Sequence, residues 1–219
     1  MSRPPAVVLS ELELDALTEL VNLGVSNAAM GLREMVKEEV LLSVPNVRVV
    51  TREQAIANLG QRNARLVAVH QTFEGDISGR ALLIFPEAQS LELVRAVVGS
   101  DLSLEDLIEL EQEALAETGN VLLNGCLGTI ANSLQRSLRI SLPEVLHGGG
   151  AEFFNLEPPR RSDDDCVLFI HINFALRRHA IQGYLAMLLD LPSLVVLQKL
   201  VAEYIDRMGI STIVSPDGL

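Results

Sequence analysis

Apolar residues recur at helical spacing near the start of the chain: Leu12, Ala16, Leu20 and Leu23, with Leu17 and Val21 widening the stripe. Ser10 followed by Glu13 forms a capping box. The pattern predicts a helix over Ser10–Lys37, roughly 40 Å long at about 1.5 Å per residue. The period then changes. Val40–Val50 reads as a strand with Pro45 inside it, which predicts an edge position or a bend, because proline donates no ladder hydrogen bond. Leu66–Phe73 and Arg80–Phe85 read as two more strands joined through Glu74-Gly75-Asp76. Pro86 opens a helix and Gly99 follows its end.

The same order then returns. A long helix is predicted over Glu109–Ser137, a strand over Leu138–Leu146 with Pro143 inside, strands over Val167–Phe174 and Ala180–Leu189, and a closing helix from Pro192 to about Asp206. Aligning Glu11–Val47 with Glu109–Val145 gives ten identities in 37 columns, where composition alone gives about two or three. Within it the spacing Glu-x2-Asn-x22-Pro occurs twice, as Glu19, Asn22, Pro45 and as Glu117, Asn120, Pro143. The expected architecture is α+β: a pseudo-two-fold duplicated unit with a six-stranded sheet covered by two long helices. It forms a single domain over 1–219, with pseudo-repeats at about 9–100 and 107–208.

The polar positions sharpen this. Asp15, Glu19, Asn22 and Ser26 line one narrow face of the first helix; Glu113, Glu117, Asn120 and Asn124 line the second at the same phase. A solvated helix face is the ordinary reading of such a stripe. Against it stand the duplication, the recurring asparagines and the absence of any Lys or Arg within either set. A carboxylate beside a carboxamide can grip a cation and aim a water molecule, which points to work on a phosphorylated partner. Gly24 and Gly119 beside the stripes admit two readings, tight internal packing or close approach of a partner's backbone.

Composition removes several classes. Apolar residues make up 48% and charged residues 21% of the 219 positions, enough for a real core and against disorder. A net charge of −12, no Trp and only 4% aromatics oppose nucleic-acid and anionic-membrane binding. Cys126 and Cys166 give neither a disulfide framework nor metal-ligand spacing, and Cys126 reads as a small buried hydrophobe. There is no signal-peptide core, and Tyr184–Val201 is too interrupted by Asp190, Pro192 and Lys199 to span a membrane, so a cytoplasmic setting is expected. His70 and His171 occupy matching strand positions without ligand spacing. His147–Asp165 reads as a long surface loop; its Gly148–Gly150 run lacks the Lys-Ser/Thr of a phosphate loop, and Asp163–Asp165 reads as solvated.

Asp15-x3-Glu19-x2-Asn22-x22-Pro45 resembles the signature of the CheC/CheX/FliY phosphatases of bacterial and archaeal chemotaxis. Leu14-Asp15-Ala16-Leu17 through Asn22-Leu23-Gly24, Asn27-Ala28-Ala29 and Glu117-Thr118-Gly119-Asn120 resemble the CheC motifs in particular. The resemblance spans essentially the whole chain. It implies hydrolysis of the aspartyl phosphate on a CheY-like response regulator in two-component signalling. Asn22 and Asn120 would place the attacking water, Glu19 and Glu117 would pair with the receiver's lysine, Asp15 and Glu113 would support recognition, and Pro45 and Pro143 would shape the strand beneath. No cofactor of its own is implied, since Mg2+ belongs to the phosphorylated receiver. CheD is a second candidate partner. Glu113 stands where the family usually has Asp or Ser, which marks the second site as the weaker. The competing class is a non-catalytic receiver- or CheD-binding regulator, or a flagellar-switch-like module.

Overall fold

The computed structural model of the chain describes residues 9–36, 40–59, 65–98, 103–155, 166–176 and 179–209. The first helix, α1, covers Glu11–Val36. Its capping box forms as expected: the Ser10 N–H donates to the Glu13 carboxylate at 2.7 Å, and the Ser10 hydroxyl accepts from the Glu13 N–H at 3.3 Å. Strand β1 (Val40–Thr51) follows, then a short helix α2 (Arg52–Asn58), strands β2 (Leu66–Gly75) and β3 (Gly79–Pro86), and helix α3 (Glu87–Val98). The second half runs α4 (Leu104–Ser133), β4 (Leu138–Ile140), β5 (Glu144–Gly148), a short helix α5 (Gly150–Phe154), β6 (Cys166–Leu176), β7 (His179–Leu189) and α6 (Leu191–Met208).

Several expectations shift. Helix α4 starts five residues early because Ser103 and Asp106 build a capping box of their own. The strand expected over Leu138–Leu146 is split at Ser141-Leu142-Pro143, so the sheet counts seven strands among the described residues. Helix α2 has no counterpart among the expected elements, and α5 falls within the expected loop His147–Asp165; Asp163–Asp165 and Gly99 lie outside the described residues. Asp190 caps α6 by accepting from the Ser193 N–H, with Pro192 in the first turn.

All strands join one antiparallel sheet in the order β1-β6-β7-β3-β2, with β4 and β5 both pairing the outer edge of β2. The order is a palindrome of the duplication. Each half contributes a first, second and third strand. Read from either edge, the first strand of one half lies beside the second and third of the other. Strand β1 is thus an edge strand, and its register slips by one residue between Ser43 and Asn46. That bulge spans Pro45, in keeping with the expected edge position and bend.

Alternation along the strands sends side chains to two cores. On one face Val67, Val69 and Phe73 of β2 meet α1, α3, α4 and α6. On the other, Leu66 and Ala68 meet Ala55 of α2 and Phe153 and Phe154 of α5. The fold is therefore three layers, with α1 and α4 paired on the face that carries both polar stripes.

Candidate functional site

The site grows out of how closely α1 and α4 approach. Gly24 is buried on α1, and a Cβ built there would stand 2.9 Å from the Cα of Cys126 on α4. Gly125 returns the contact, with Ala28 at 3.0 Å from the equivalent point. Asn27 Nδ2 donates to Thr129 Oγ1 across the same seam at 3.0 Å. Gly119 is buried too, and a side chain there would overlap Val69 of β2. Both glycines thus serve internal packing, which decides between the two readings left open above. Cys126 is 1% exposed, and burial pushes its thiol up to about 12. It is a core atom, as expected, and no nucleophile.

With their apolar faces consumed, the helices turn the stripes outward. Asp15 and Glu19 are exposed on α1 and Glu113 and Glu117 on α4, while Asn22 and Asn120 are half-buried. The predicted set is therefore brought together as two separate clusters, each on one helix. Ser26 is exposed at the end of the first stripe, and Asn124 is half-buried at the end of the second. Among the described residues, no group of three His, Cys, Asp or Glu side chains converges to hold a metal ion.

The second cluster carries a polar network beneath it. Gln71 of β2 is fully buried and faces the helices in line with Val69 and Phe73. Its Nε2 donates to the Ser141 carbonyl at 2.8 Å and to Asn120 Oδ1 at 3.2 Å. Asn124 Nδ2 donates to the same Oδ1 at 2.7 Å. Ser141 is the first residue of the strand break before Pro143. Its hydroxyl accepts the Thr72 N–H at 3.0 Å, and its own N–H donates to the Thr72 carbonyl at 2.9 Å. The hydroxyl thereby takes the hydrogen bond that the Ser141 carbonyl would accept in a regular ladder. That carbonyl is left for Gln71.

Sequence reasoning missed Gln71 and Ser141. Gln71 breaks an otherwise apolar set of inward positions, a signal readable only once the strand's phase is known. Ser141 shares its place in the repeat with Ser43, an identity present in the alignment. His70 and His171 do occupy matching positions, facing away from the helices, and His171 stacks on Tyr184 with ring centroids 5.1 Å apart.

Comparison with known proteins now bears on this arrangement. No family model matches the chain. It is 26% identical over 140 residues to the CheY-P phosphatase CheC of Bacillus subtilis, spanning 63% of this chain and 67% of that one. It is 24% identical over 139 residues to the flagellar motor switch phosphatase FliY of the same organism, spanning 63% of this chain and 36% of that protein. Among solved structures, Thermotoga maritima FliY superposes with a TM-score of 0.71 at 18% identity, covering 92% of this chain and 99% of that one, which shows a common fold. No helix among the described residues is long and apolar enough to cross a membrane. Relatives and fold agree in their likeness: the chain is similar in sequence to CheC-type chemotaxis phosphatases and shares the fold of FliY.

Proposed function

We propose that each stripe docks a phosphorylated CheY-like receiver domain and speeds hydrolysis of its aspartyl phosphate. The observation that carries this reading is the doubled, outward-facing acid–amide pair: Glu19 with Asn22 and Glu117 with Asn120, at the same phase on two packed helices. Each pair offers a carboxylate and a carboxamide, so the chemistry asked of it is placement. In the reaction, a water oxygen attacks phosphorus and the bond from phosphorus to the aspartyl oxygen breaks. The receiver's carboxylate and inorganic phosphate are released, and the receiver's Mg2+ offsets charge on the phosphoryl oxygens. The half-buried amides of Asn22 and Asn120 orient that water in line with the leaving oxygen. The exposed carboxylates of Glu19 and Glu117 pair with the receiver's lysine and fix the register of the complex, with Asp15 and Glu113 supporting recognition. Pro45 and Pro143 act at one remove, through the irregular edge strands they interrupt.

The test is direct. Receiver proteins are phosphorylated in the presence of Mg2+, the chain is added in catalytic amount, and phosphate release is followed. Faster loss is expected. Unchanged phosphoryl lifetimes across the cognate receivers would overturn the enzymatic reading and leave a binding module.

A further inference from the structure

We propose that Gln71 is a positioning residue for the second site, holding the Asn120 carboxamide in one orientation, and that the first site has no equivalent. The inference rests on the hydrolytic reading above for its consequence, though not for its geometry.

The orientation follows from chemistry. A backbone carbonyl can only accept, so the Gln71 atom 2.8 Å from the Ser141 oxygen is the donor Nε2. The second hydrogen on Nε2 points to an Asn120 atom 3.2 Å away, which is therefore the acceptor Oδ1. The Asn124 atom 2.7 Å from that oxygen must in turn be Nδ2. Both lone pairs of Asn120 Oδ1 are thus used inside the protein. The Nδ2 end is left for the partner, where its N–H can hold a lone pair of the attacking water or a phosphoryl oxygen.

Holding the amide this way costs stability. Gln71 is fully buried, and its Oε1 has no hydrogen-bond partner among the described residues. A buried acceptor left without a donor is destabilising, because it loses its hydrogen bonds to water and gains none. An apolar side chain would suit the fold better at this place, and the counterpart strand β6, contributed by the second half, has one. Leu42 pairs with Phe174, and its counterpart Ile140 pairs with Phe73, so Phe73 corresponds to Phe174. Two residues earlier, Gln71 corresponds to Ile172, which is 2% exposed and packs in the same core. Among the described residues no hydrogen bond fixes the Asn22 amide. The duplicated scaffold therefore carries one pre-set and one unset amide.

The test uses the full chain with Asn22→Ala, so that the second site alone turns over. Gln71→Met keeps the volume and removes the donor; Gln71→Ile copies Ile172 of the counterpart strand β6 and serves as a second variant should the first fail to fold. Two quantities are read: phosphate release against receiver concentration, and the order parameter of the Asn120 side-chain NH2 group by NMR, identified by its loss in Asn120→Ala. A fall in turnover on the order of tenfold or more is expected, with the half-saturating receiver concentration unchanged and the Asn120 amide newly mobile. An amide that stays rigid, or a mobile amide with unchanged turnover, overturns the proposal. If the unmodified chain hydrolyses nothing, the functional reading fails, and a rigid amide freed by Gln71→Met still establishes the positioning contact.

Discussion

Gly119 sits on Val69 with no room for a methyl group, and Gly24 sits on Cys126 with little more. A mid-helix glycine costs about 1 kcal/mol relative to alanine in an open helix, so here the usual gain from Gly→Ala is reversed by overlap. Gly119→Ala and Gly24→Ala are expected to destabilise by about 1–3 kcal/mol, read as a lower denaturant midpoint. Gly119→Ala is the worse, because Val69 is branched and locked in the sheet. Cys126 gives a second check on the same seam. Burial raises its thiol from 9.0 to about 12, so the fold favours the protonated form. Its contribution to stability is therefore present below pH 9 and is lost as pH rises toward 12. At pH 8 the native thiol should resist a thiol reagent and react only on unfolding; prompt labelling would mean that the α1–α4 seam opens.

At the scale of elements, the interrupted edge strand is the device that builds the second site. Pro143 cannot donate to a ladder, and Ser141 meets Thr72 through its hydroxyl, so the carbonyl between them is released to Gln71. Ser141→Ala should leave the Thr72 N–H without its acceptor, with a loss of about 1 kcal/mol. The ladder should then close on the Ser141 carbonyl, and second-site turnover should fall as it does for Gln71→Met. Unaltered turnover together with unaltered stability would show that the break is maintained by Pro143 alone. This element also marks how far the sequence could be read. The long helices, the matching order of strands, the caps at Ser10 and around Pro192, and the outward stripes all follow from local periodicity and capping chemistry. Helices α2 and α5 do not, since seven and five residues are too few to show a period. Nor does Gln71, because the run Leu66–Val69 before it is apolar at every position and hides which face is which. Its partners Asn120 and Ser141 lie 49 and 70 residues away, a pairing that only the sheet's mixed strand order brings about.

At the scale of the whole molecule, that strand order ties the halves together while keeping their chemistry apart. Each half lends its first strand to the other half's second strand, so the scaffold is common. Each acid–amide pair, however, lies on a single helix. If each pair docks a receiver as proposed, the two sites should serve separate receivers independently. Asn22→Ala or Asn120→Ala alone should leave partial phosphatase activity, and the double substitution should remove nearly all of it, with a loss on the order of 10²-fold or more at each site. The single variants also separate the two influences on the second site. Glu113, assigned to recognition, should appear as a higher half-saturating receiver concentration when only that site works. The fixed Asn120 amide should appear as a higher maximal rate than the Asn22 site achieves. Glu19→Ala and Glu117→Ala should weaken receiver binding as well as turnover, since docking is the role proposed for the carboxylate. Full loss of activity from either single Asn substitution would replace two independent sites by one functional site, and equal maximal rates from both would show that amide fixation does not govern turnover.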